Sequence, residues 1–132
     1  MDEVSILSSQ KGCFTLECGN SKIMEKTLLE VKRKIEEADS IQAEKKKELL
    51  ELLSVLQLEI ETLAKTDQDH AESIVSFTQA SAHESTRKEK REDLYQLSLQ
   101  GLAGTIRGFE SSNPRLVEIV NSICTALSNL GI

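Results

Sequence analysis

Leu49-Leu50-Glu51-Leu52-Leu53-Ser54-Val55-Leu56-Gln57-Leu58-Glu59-Ile60-Glu61-Thr62-Leu63 decides the fold class. Within it Leu49, Leu53, Leu56, Ile60 and Leu63 step by four, three, four and three residues. A mean spacing of about 3.5 residues keeps one side of an α-helix against a partner helix. Leu50, Leu52, Val55 and Leu58 widen the apolar side well beyond a narrow seam. A helix this apolar around its circumference touches more than one neighbour. The expectation is a helix from Ile41 to Ala64, either central in the monomer or at the core of an oligomer. The five stripe residues form the expected self-association face, and a homodimer is the expected partner state.

The same stepping recurs on both sides of this stretch. Upstream, Met24, Leu28, Val31, Ile35 and Ala38 predict a first helix, opened by Asn20 or Ser21 as N-cap. Asp39 with Gln42 resembles a capping box, which predicts a chain reversal and a helical hairpin rather than one long helix. Downstream, Tyr95, Leu99, Leu102, Ile106 and Phe109 repeat the pattern. Asn113-Pro114 then places a capping residue before a proline, which suits the first helical position. Leu116, Val120, Ile123, Leu127 and Leu130 mark the last helix, with Gly131 placed to end it.

Two regions read differently. Between Asp67-Gln68-Asp69, an acidic helix start, and Ala82 the apolar pattern weakens to Ala71, Ile74, Val75 and Phe77. Ser81 to Asp93 is almost wholly polar and reads as a solvated projecting helix or a mobile connector. In the first nineteen residues Val4 and Ile6, then Phe14, Leu16 and Cys18, alternate with polar neighbours. That extension reads as a short β-hairpin or a mobile tail. The expected architecture is all-α: an antiparallel helical bundle of about four helices with coiled-coil-like heptad stripes. Residues 1–19 are the extension and residues 20–132 the single bundle domain.

The 132-residue chain is 29% charged and 3% aromatic, with net charge −6. An acidic chain with few aromatics is a poor match for nucleic acid, which asks for a basic surface and stacking platforms. No apolar run reaches the roughly 20 residues a bilayer span needs. Met1-Asp2-Glu3-Val4 lacks the basic start of a secretory signal, so a cytoplasmic location is expected. The cysteines (Cys13, Cys18, Cys124) are then read as reduced.

Catalytic and metal signatures do not assemble. Cys13 and Cys18 have no second Cys or His pair at zinc-like spacing. His70 and His83 stand outside any Glu-x-x-His or His-Glu-x-x-His pattern. His70, three residues after Asp67, reads as a solvated residue at a helix start. The serines include no Gly-x-Ser-x-Gly elbow, and no phosphate-binding loop is present. Lys45-Lys46-Lys47 and Arg87-Lys88-Glu89-Lys90-Arg91 are flanked by glutamates and read as solvated helix faces. Gly101, Gly104 and Gly108 fall on one side of a helix and suggest close approach of a neighbour.

The C-terminus, Phe109-Glu110-Ser111-Ser112-Asn113-Pro114-Arg115-Leu116 with a terminal Asn129-Leu130-Gly131-Ile132, resembles a small bacterial family of unknown function. That family has a Phe-Glu-x-Ser-x-Pro-x-Leu box and a Gly-Ile end. Ala43 to Leu53 is similar to its second helix. The resemblance implies a small helical protein and no assigned activity. The expected function is a helical protein–protein interaction or scaffold module that self-associates and takes no cofactor or metal. The alternative is a regulatory bundle holding a small ligand between helices. A tightly filled core with exposed apolar surface would favour the first, and an internal cavity the second.

Overall fold

A computed structural model describes the backbone of residues 13–130 and the side chains of residues 22–130. The described residues form five helices: α1 (Cys13–Glu37), α2 (Ala43–Ala64), α3 (Gln68–Thr86), α4 (Glu92–Gly104) and α5 (Pro114–Ser128). No strand occurs among the described residues. The first arm of the expected hairpin, Val4 and Ile6, lies outside them, as does Gly131. The second arm, residues 13–19, is helical and continuous with α1, so the expected start at Asn20 or Ser21 is corrected to Cys13. Phe14 and Cys18 alternate with polar residues but are also four apart, which a helix turn accommodates. An interior Gly19 weakens a helix by about 1 kcal/mol without ending it.

The heptad stripes form the core. Met24, Leu28, Val31 and Ile35 of α1 are buried, as are Leu49, Leu53, Leu56, Ile60 and Leu63 of α2. Tyr95, Leu99, Leu102 and Ile106 join them, with Leu116, Val120, Ile123 and Leu127 of α5. The chain does reverse between α1 and α2. Lys32 Nζ donates to Gln57 Oε1 at 3.4 Å and Lys46 Nζ to the Glu36 carbonyl at 2.8 Å. Residue numbers therefore fall along α2 as they rise along α1. The capping box at Asp39 does not form. Gln42 is the N-cap, extended and without a side-chain cap bond. Ile41 is buried in the connection, and seating that side chain moves the helix start past Asp39.

The largest departure from expectation is α3. It packs on all four other helices, whereas α2 packs on three. Its buried residues are Ala71, Ile74, Val75, Thr78, Ser81, Ala82 and Ser85. The steps from Ala71 to Val75, Thr78, Ala82 and Ser85 are again four, three, four and three. The stripe does not lapse here. It continues in small side chains, and the expected polar arm is instead the C-terminal end of a core helix, with Arg87 to Arg91 a short link to α4.

Each buried hydroxyl is satisfied. Thr78 Oγ1 donates to the Ile74 carbonyl at 2.7 Å, Ser85 Oγ to Ser81 at 2.7 Å, and Ser81 Oγ crosses to the Ser98 carbonyl of α4 at 3.0 Å. Ser98 and Thr105 donate to Tyr95 and Leu102 carbonyls at 2.8 and 2.6 Å. An unpaired buried hydroxyl would cost about 1–3 kcal/mol, and here that cost is avoided.

The α4–α5 connection is fixed by short-range bonds. Gly108 takes φ +90°, a left-handed conformation that suits glycine, and its N–H donates to Glu110 Oε1 at 2.9 Å. Phe109 packs at a tilt against His70, with ring centroids 4.6 Å apart and the planes at 44°. Pro114 opens α5 as expected, although Asn113 makes no side-chain cap bond.

Candidate functional site

The five α2 residues expected to form a self-association face turn inward. Leu49, Leu53, Leu56, Ile60 and Leu63 are 0–6% exposed within this one chain. They are the core against α1, α3 and α5, and the width of that apolar side is used by those three neighbours. A second copy cannot reach them in the folded chain.

A different face is apolar and open. On α3, Ser73 to Ala82 contains no charged residue. On α4, Leu94 to Ile106 contains none. In a chain that is 29% charged these two neutral runs lie side by side; α5 carries a third, Ile119 to Ser128, but no large apolar side chain of it is exposed. Phe77 of α3 rests on Gly101 of α4, so closely that a Cβ there would overlap the ring. Leu97, one turn before Gly101, is 63% exposed and Phe77 is 40% exposed. Ala80 is exposed, and Gly104 faces open space. The expectation for the three glycines therefore holds at Gly101 alone, where the neighbour that approaches is a ring. Gly104 contacts no neighbour, and Gly108 lies beyond the helix.

The second feature is a surface groove of about 510 Å³ between α1 and α3. Val31 and Ala82 are buried at its base, and Arg33, Lys34, His83, Arg87 and Lys88 stand along its walls. Lys34 Nζ lies 3.2 Å from His83 Nδ1. Arg87 pairs with Glu84 at 2.9 Å in a partly shielded position. The small void near Met24, Leu28 and Ile60 holds only about 10 Å³, too little for a ligand.

The remaining singled-out residues have structural roles. Asp67 Oδ1 caps α3 by accepting the His70 N–H at 3.1 Å. The His70 ring is half-buried rather than fully solvated: its Nε2 contacts the Thr105 carbonyl at the end of α4, and the ring packs at a tilt against Phe109. Lys45 and Lys46 donate to carbonyls of Asn129 and Glu36 at 3.4 and 2.8 Å, near the C-termini of α5 and α1, where cations complement the helix dipole. Arg91 beside Asp93 holds that carboxyl below its ordinary value, and burial pushes the Cys124 thiol up. No cluster of His, Cys, Asp and Glu able to hold a metal occurs among the described residues. Among the same residues, no helix is long and apolar enough to cross a membrane.

Comparison with protein-family models, curated proteins and solved structures finds no match to this chain. The features missed in the sequence were the neutral runs and the small-residue stripe. Both were present as signals: an absence of charge, and four-three stepping among Ala, Val, Thr and Ser.

Proposed function

We propose that the chain is a helical interaction module, without catalysis, that pairs with a second copy of itself through the outer face of α3 and α4. Its scaffold is the antiparallel bundle expected from the stripes. One observation carries this reading: a neutral, partly apolar two-helix face on a protein whose net charge is −6. Two copies of a like-charged protein repel, so contact is least opposed where both faces lack charge. The filled core favours this reading over a ligand held inside the bundle.

The face is small. At about 1.5 Å per residue the neutral runs of α3 and α4 span about 15 and 20 Å, and together they cover roughly 350–400 Å² per copy, about half the ~800 Å² of a standard interface. Pairing is therefore weak and depends on concentration. Light scattering on a size-exclusion column, run as a concentration series, should show mass rising from monomer toward dimer. Leu97→Lys should abolish the rise, while Leu58→Lys on α2, also 63% exposed, should leave it intact. A monomer at every concentration overturns self-association. A loss with Leu58→Lys but not with Leu97→Lys overturns the face.

A further inference from the structure

The α1–α3 groove exists because α3 contributes small side chains. At Ala82 the stripe offers a methyl where α2 offers isoleucine, so α1 and α3 are not sealed at their outer edge. The result is an opening of about 510 Å³, inside the range typical of small-molecule sites.

Its charge departs from that of the whole protein. Arg33, Lys34, Arg87 and Lys88 face Glu30 and Glu37, and Glu84 pairs with Arg87: four cations to three carboxylates, while the whole chain carries −6. Two of the cations are held in place. Lys34 Nζ lies 3.2 Å from His83 Nδ1, a contact that fixes its ammonium at the groove wall. Arg87 is oriented by Glu84. Arg33 and Lys88 make no ion pair with any carboxylate among the described residues. Fixed and free cations together match a doubly charged oxyanion, which guanidinium and ammonium groups bind by charge-assisted hydrogen bonds. The methyl-lined base formed by Val31, Ala38 and Ala82 suits a compact organic body, and Glu30 and Glu37 can accept from hydroxyls on it.

We propose that this groove binds a small phosphomonoester of sugar-like size. The site lies on the α1 side of α3: it takes Gln79 and Ala82 from the neutral run but none of the exposed face residues Phe77, Ala80 and Leu97. The test is an amide NMR titration of the full chain at matched ionic strength with glucose 6-phosphate, glucose and inorganic phosphate. Glucose 6-phosphate should shift signals of residues 30–38 and 79–88 and saturate. Glucose should not bind, and inorganic phosphate should bind at least tenfold more weakly. Lys34→Glu should weaken glucose 6-phosphate binding at least tenfold, and the monomeric Leu97→Lys variant should bind unchanged. Unsaturable shifts spread over all the lysines overturn the site, as does unaltered binding by Lys34→Glu. Equal affinity for inorganic phosphate overturns the organic-body requirement.

Discussion

Helices α2 and α3 carry the same four-three stripe in different alphabets. In α2 it is written in leucine and isoleucine; in α3 it is Ala71, Val75, Thr78, Ala82 and Ser85. Each α2 side chain removes a large apolar area from water, worth about 1.5–3 kcal/mol when fully buried. The α3 side chains supply much less, yet α3 touches every other helix and α2 does not. Small side chains let neighbouring backbones come close, and their hydroxyls are satisfied within the same space. Burial energy and organising position therefore belong to different helices. The helix that drives the collapse is the one most visible in the sequence, and the helix that arranges the neighbours is the least visible.

The comparison implies opposite responses to a change in volume. Leu56 is fully buried in α2, so Leu56→Ala removes its transfer energy and leaves a cavity, costing about 2–5 kcal/mol. Urea unfolding followed by helical circular dichroism would measure it. A loss below about 1 kcal/mol would mean that α2 is not the main source of burial.

At Ala82 in α3 the sensitive direction is enlargement. Ala82 is 1% exposed beneath the α1–α3 groove, and Ala82→Leu has no room inward. Overpacking of this kind costs about 1–3 kcal/mol. It should also fill the groove base, changing chemical shifts at Val31 and Ala38. Ser81→Ala, which removes the bond to the Ser98 carbonyl, should cost about 1 kcal/mol. If Ala82→Leu were stabilising, α3 would be a loosely packed helix rather than the organising one.

This contrast explains what the sequence disclosed. Four heptad stripes placed the cores of α1, α2, α4 and α5, because Leu and Ile at that spacing have few other uses. Asn113-Pro114 placed the start of α5 for a reason of backbone geometry. The α3 end was missed because Ser81 and Ser85 count as polar in any hydropathy pattern, although their hydroxyls bond inside the fold and the remainder of each side chain is small. The self-association face was assigned to α2 because an apolar side too wide for one neighbour suits an oligomer as well as three intramolecular partners. Only the packing decides between these. The groove was not legible at all, since Arg33 and Lys34 lie about fifty residues from Arg87 and Lys88 and meet only when α1 lies along α3.

The smallest expected effect tests how tightly α3 and α4 are matched. Gly101 sits within α4, where alanine would favour the helix by about 0.5–1 kcal/mol. A Cβ there would overlap the Phe77 ring, which must then swing outward and give up its contact. The two contributions oppose each other, so Gly101→Ala alone should change stability by less than about 0.5 kcal/mol or reduce it. With Phe77→Ala already in place the overlap is gone, and the same substitution should stabilise by about 0.5–1 kcal/mol. A double-mutant cycle by urea unfolding at low protein concentration isolates this coupling. An equal gain in both backgrounds would show that the ring does not need the glycine. The close contact between α3 and α4 would then rest on the buried Ser81–Ser98 bond and its small neighbours alone.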